Sequence, residues 1–257
     1  MGSGIAQVFA QSGFNTILFD VNEEVIAKAK AKIKRYLPAG AKEITFTSSI
    51  NDCKADCIIE AVIENEEVKA ALFNTLITLN SPGTIFVTNT SSLSVTSLAE
   101  KITQRQQFAG MHFFNPAPLM KLVEIVRTKY TSDSTIEFLL QLCDVCGKIP
   151  VLCKDSPGFI VNRVARPYYL EALYLVEQFN IDFETVDKLA EATGFKMGPF
   201  RLMDLIGNDI NYSVSCIVHD ALGKPERLKP SRIQEAKVKE RSLGRKTGKG
   251  YYEYRGA

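Results

Sequence analysis

Histidine is scarce in this chain, with two in 257 residues. Imidazole, whose unperturbed pKa lies nearest 7, is the natural group for proton transfer at neutral pH. Such chemistry would have to run through His112 or His219. Charge of one sign is also missing: 31 basic residues face 29 acidic ones, for a formal net charge of +2. A balance this close argues against a global field aimed at nucleic acid. No apolar run approaches the roughly 20 residues of a membrane helix. Nor does a basic segment followed by an apolar core open the sequence, so a cytoplasmic location away from membranes is expected. Six cysteines occur, yet no CxxC…CxxC and no Cys/His cluster at zinc spacing. Cys143 and Cys146 form a CxxC late in an amphipathic segment, so reduced thiols and no metal are expected. Internal repeats, low-complexity stretches and Gly/Ser linkers are absent as well.

What is present alternates. Residues 3–13 read as a helix, 15–20 as a strand ending in Asp20, and Asn22 as the cap of a further helix with Glu23 and Glu24 in its first turn. Strands are expected at 44–47, 57–62, 85–90, 107–113, 122–126 and 149–153, with helices at 66–80, 94–102 and 134–146 between them. Apolar strands alternating with helices predict an α/β fold, a doubly wound, mostly parallel Rossmann-type sheet over residues 1–155. Beyond Asp155 the pattern becomes helical. Ser156 with Pro157 is expected to start a helix reaching residue 178, and more helices are expected at 183–193, 200–222 and 230–240. Residues 156–257 are therefore read as a smaller all-helical domain, ending in an aromatic strand around Tyr251 to Tyr254 and facing the first domain across a cleft.

Two constellations carry chemistry. The run HFFNPAPLMKLVEI (112–125) places His112 before a proline-rich turn, with a strand beyond that holds Glu124. A carboxylate can orient an imidazole and stabilise its cation; the structural alternative is a core histidine and an unrelated acid. Second, Met1-Gly2-Ser3-Gly4 opens a helix and Asp20 follows at the next strand end. A glycine turn at a helix N-terminus accommodates pyrophosphate, and an acid about 20 residues on accepts from the adenosine ribose. Gly2 and Asp20 fit the last glycine and the acid of that fingerprint, and an acid there favours NAD over NADP. The strand and earlier glycines that precede such a turn are absent from this sequence. A sequence starting downstream of the complete unit is the expectation, with unpaired backbone on the neighbouring strands.

With these residues assembled, the chain resembles the L-3-hydroxyacyl-CoA dehydrogenases, in the branch of the 3-hydroxybutyryl-CoA dehydrogenases. The motifs are MGSGIAQ (1–7), EAVIENEEVK (60–69), NTSSL (89–93), HFFNPAPLMKLVEI (112–125), DSPGFIVNR (155–163), GPFRLMDLIG (198–207) and GRKTGKGYYEY (244–254). The resemblance implies an NAD-dependent enzyme acting on an acyl-CoA and forming a homodimer through its helical domain. It implies His112 as general base, Glu124 as its orienting carboxylate, Ser91 as a hydrogen-bonding partner of the substrate, and Asn162 as an amide donor to it. It also implies cofactor contacts at Met1, Gly2, Asp20, Glu64 and Lys69, and more weakly at Asn115 and Lys246. His219 matches no motif and is expected to be structural or exposed.

One departure stands out. Many family members extend the helix after Asp20 into a long hairpin that helps hold coenzyme A, whereas Leu37-Pro38-Ala39-Gly40 cuts it short here. Lys28, Lys30, Lys32, Lys34 and Arg35 would either attract the coenzyme's phosphates or form a solvated charged face. Two rival readings follow: a dehydrogenase of free 3-hydroxy acids, and a non-catalytic relative lacking part of its cofactor unit.

Overall fold

Residues 1–254 are described by the structure, a computed structural model. They divide into two units, Met1–Ser156 and Pro157 onward. The first unit opens with α1 (Gly2–Gln11), which buries Ile5 to Ala10 and stops where Gly13 takes a φ of 89°. β1 (Thr16–Phe19) follows, then α2 (Glu23–Tyr36), β2 (Ile44–Thr47), β3 (Cys57–Glu60), α3 (Glu66–Leu79), β4 (Ile85–Thr88) and α4 (Val95–Glu100). The unit closes with β5 (Phe108–Phe113), β6 (Leu122–Arg127), α5 (Asp133–Val145) and β7 (Ile149–Lys154). Side-chain caps set the helix starts: Asn22 Oδ1 accepts the Glu24 and Val25 N–H groups, Asn65 that of Val68, and Ser132 that of Thr135.

All strand pairs are parallel except β5–β6, so the sheet is mostly parallel, as the alternation predicts. It is divided, however. β1 pairs only with β2, and a five-stranded sheet runs β3-β4-β5-β6-β7. A cavity of about 1720 Å³ is lined on one side by Thr16 to Asp20 and on the other by Cys57 to Ile63. The main core joins α1 and α5 to the larger sheet through Ile5, Phe9, Val87, Met111, Ile125 and Leu139. A smaller cluster of Ala6, Ala10, Leu18, Ala29, Ile33 and Ile44 lies between α1, α2 and the β1–β2 pair. The six cysteines are free thiols. Burial pushes those of Cys57, Cys143 and Cys153 up to about 12, so at neutral pH they behave as small apolar groups.

The second unit comprises α6 (Val161–Phe179), α7 (Phe183–Ala192), α8 (Pro199–Ile206), α9 (Asn208–Ala221) and α10 (Arg232–Lys239), around Leu173, Phe200, Met203, Val218 and Tyr251. Three expectations need correction here. Ser156 and Pro157 do not start α6. Gly158 at φ 77° and Phe159 at φ 47° form a left-handed turn first, and a Cβ on Gly158 would sit 2.9 Å from Val218 Cγ2. The helix expected over 200–222 is two helices broken at Gly207, whose φ of 108° few other residues adopt. The aromatic tail makes only isolated bridges, Gly244 with Lys249 and Lys249 with Glu253, instead of a strand. Among the described residues no helix is long and apolar enough to cross a membrane, and no group of three or more His, Cys, Asp or Glu could hold a metal.

Candidate active site

His112 and Glu124 stand directly opposite each other in the antiparallel pairing of β5 and β6. That register explains a pairing which a separation of 12 residues does not by itself specify. The His112 Nδ1–H donates to Glu124 Oε2 at 2.8 Å, and both side chains are buried. Holding Nδ1 in this way puts the basic lone pair on Nε2 and keeps the ring's orientation fixed. The Phe114 ring lies 4.6 Å from the imidazole, centroid to centroid. The chain then turns through a cis Asn115–Pro116 bond, leaving Asn115 exposed. Lys148 buttresses this turn: its buried Nζ donates to the carbonyls of Ala117 at 2.6 Å and Met120 at 2.9 Å.

The strand ends beside this pair are cross-linked. Asn89, just past β4, accepts from the Phe113 N–H at 2.8 Å, and its own N–H donates to the Glu60 carbonyl at 2.8 Å. Ser91 follows two residues later, and its N–H donates to Glu64 Oε1 at 3.1 Å. Glu64 Oε1 also accepts from the hydroxyls of Thr90 and Ser92. Burial opposes ionisation of Glu64, but the Thr90 hydrogen bond, the nearby Lys69 and the Ser92 and Ser91 donors together hold its carboxyl below the ordinary range. Lys69 is buried, with Nζ 2.6 Å from Glu60 Oε1 and 3.3 Å from Glu64 Oε2.

At the start of α1, Met1 and Gly2 line the same cavity as Asp20, Ala61, Val62 and Ile63. The start of α1 has no side-chain cap, and a Cβ on Gly2 would lie 3.9 Å from that of Ala61. Gly4 is tighter still, since a Cβ there would meet Ala117 Cβ and Pro118 Cδ at 3.4 Å. An uncapped helix start and an acid at a strand end are the kinds of group that the pyrophosphate and ribose of a dinucleotide use. Lys28, Lys30, Lys32, Lys34 and Arg35 are exposed along α2, and Lys28 and Lys32 also line this cavity.

In the second unit Asn162 is the second residue of α6, earlier in the helix than the sequence suggested, and its carbonyl accepts from Arg166 Nε at 3.1 Å. Lys246 pairs with Asp209 at 2.6 Å. His219 is partly buried, with Nδ1 4.0 Å from an Asp220 carboxylate oxygen. Glu60, Asn89 and Lys148 were not singled out from the sequence. Glu60 had a signal, an acid closing the otherwise apolar strand CIIE; the other two show their part only once the strands are paired.

A divided parallel sheet followed by a helical unit, with a paired imidazole and carboxylate and a dinucleotide-type helix start, defines a nucleotide-dependent oxidoreductase. The family profile for the 3-hydroxyacyl-CoA dehydrogenase NAD binding domain matches residues 1–156, and that for the C-terminal domain matches residues 158–254. The mitochondrial hydroxyacyl-coenzyme A dehydrogenase of Sus scrofa is 39% identical over 277 residues, covering 99% of this chain and 88% of that protein. The crystal structure of 3-hydroxybutyryl-CoA dehydrogenase from Escherichia coli K12 superposes with a TM-score of 0.92 at 40% identity, covering all of this chain and 58% of that longer one. That of (S)-3-hydroxybutyryl-CoA dehydrogenase from Ralstonia eutropha also gives 0.92, at 33% identity, covering 99% and 95% of the two chains. The chain belongs to the 3-hydroxyacyl-CoA dehydrogenase family.

Proposed function

We propose that this chain interconverts an L-3-hydroxyacyl-CoA and the corresponding 3-oxoacyl-CoA with NAD, using His112 as the general base. The supporting observation is the buried His112–Glu124 pair at 2.8 Å, built into facing positions of two strands. NAD supplies the hydride acceptor. As hydride leaves C3 of the substrate, His112 Nε2 takes the proton of the 3-hydroxyl and C3 becomes a carbonyl. Glu124 stabilises the imidazolium that results. Reduction runs the same transfer backwards, with imidazolium as the acid.

Ser91, in a loop tied to Glu64, is assigned a hydrogen bond to the substrate, and Asn162 an amide donor role, both on their motifs. Glu64 and Lys69 are assigned to the nicotinamide side of NAD, and Met1, Gly2 and Asp20 to its pyrophosphate and adenosine ribose; Asn115 and Lys246 are the weaker assignments. A cytoplasmic homodimer working in acyl-CoA metabolism completes the reading.

Purified protein assayed with NADH against acetoacetyl-CoA and against free acetoacetate tests the proposal. Turnover of the thioester with little of the free acid is expected. Preference for the free acid would favour a hydroxy-acid dehydrogenase, and NADH binding without turnover of either would mark a non-catalytic relative.

A further inference from the structure

Glu60 ends β3 with its carboxylate buried, and three donors converge on it. Lys69 Nζ and the Val62 N–H reach Oε1, each at 2.6 Å, and the Thr88 hydroxyl reaches Oε2 at 2.7 Å. One carboxylate thereby fixes a helix (α3), a neighbouring strand (β4) and the turn that leads to Glu64. Lys69 has a second acidic neighbour, Glu64, whose side chain is about a third exposed. The cluster thus sets two carboxylates against one ammonium. Glu60 lies 2.6 Å and Glu64 3.3 Å from this single ammonium, so the cluster as a whole carries one net negative charge.

Burying a carboxylate is costly unless it is paired. Glu64 alone would satisfy the Lys69 charge, so compensation for the lysine does not by itself account for Glu60. We propose that Glu60 is a positioning residue for the cofactor: it locks Lys69 and the 61–64 turn in place, and by neutralising Lys69 leaves a net negative charge that favours the oxidised, cationic nicotinamide over the reduced, neutral one. This rests on the assignment of Glu64 and Lys69 to the nicotinamide side. Purely structural damage weakens both redox forms alike, whereas a charge effect moves their ratio.

The test is a titration of the intact chain with NAD⁺ and with NADH, reading the ratio Kd(NAD⁺)/Kd(NADH). Glu60→Gln, of nearly the same shape, should raise the ratio roughly three- to tenfold, the scale of one partly screened charge. The double variant Glu60→Gln with Lys69→Met restores the formal charge, so its ratio should return to the wild-type value while both affinities stay weaker. Glu60→Asp, charged but shorter, should keep the ratio near wild type. An unchanged ratio in Glu60→Gln, or one that the double variant leaves raised, overturns the proposal. Should Glu60→Gln alone fail to fold, Lys69→Met set against the double variant carries the same test, because removing the Glu60 charge in the Lys69→Met background must raise the ratio. If Lys69→Met and Glu64→Gln both leave the binding of the two forms untouched, the nicotinamide-side assignment falls, and with it the role of Glu60.

Discussion

Replacing Glu124 by Gln is the sharpest probe of the catalytic pair. The carboxylate is fully buried and lies 2.8 Å from His112 Nδ1, so the substitution keeps shape and volume while removing one charge. When His112 takes up a proton, the imidazolium faces that charge in a site shielded from water. Coulomb attraction at this separation comes to about 6 kcal/mol at an effective dielectric near 20. Desolvation offsets part of it, and breaking a buried pair by losing one partner costs about 3–5 kcal/mol. Glutamine can also turn its NH2 toward Nδ1, which would move the ring proton to Nε2 and block the base. Turnover should therefore fall roughly 10²- to 10⁴-fold. Following NADH absorbance with acetoacetyl-CoA separates kcat from KM, and a parallel NADH titration and thermal melt establish that the fold and cofactor affinity survive. A well-folded Glu124→Gln protein whose kcat stays within about tenfold of wild type would refute the reasoning.

Other outcomes follow from neighbouring contacts. Gly110→Ala puts a Cβ 2.8 Å from that of Val126 and 3.0 Å from Val95 Cγ2, so urea unfolding should show a loss of about 1–3 kcal/mol. Asp204→Asn removes a buried carboxylate that accepts from Asn208 Nδ2, the Tyr251 and Tyr252 N–H groups and the Tyr254 hydroxyl. One amide oxygen cannot replace two carboxylate oxygens, and about 2–4 kcal/mol of the helical unit's stability should go with it, read by the same unfolding. The Glu64 carboxyl is held below its ordinary 4.5, so its contribution to stability is complete above that pH and is lost as pH falls through the lower, folded value. Melts taken from about pH 6 to about pH 3 should show a steeper acid loss in wild type than in Glu64→Gln.

Much of this architecture could be read from residue order. Strand and helix alternation, the cap at Asn22 and the change to helices after residue 155 are local signals, and local signals survive folding. The start of α6 did not follow from its Ser-Pro pair, because the left-handed turn at Gly158 and Phe159 answers to a neighbour, Val218, some sixty residues away. The Gly207 break was visible as a glycine, but a glycine in an apolar helical pattern does not announce a φ of 108°. At the active site, residue types suggested His112 and Glu124, whereas their opposition depends on the β5–β6 register. Glu60 and Lys148 were harder to find. Their roles lie in what they touch, and a buried charge looks like any other charge until its partners are known.

The division of the sheet bears on the first unit's energetics. α1 contributes to both apolar clusters, sending Ile5, Val8 and Phe9 to one side and only the methyl groups of Ala6 and Ala10 to the other. Two alanines bury little area, so the β1–α2–β2 lobe should open as a foldon of its own, well below the global unfolding free energy. Its amides should exchange with deuterium sooner than those of β5 and β6, and each opening would carry Asp20 away from the helix start while leaving His112 and Glu124 in register.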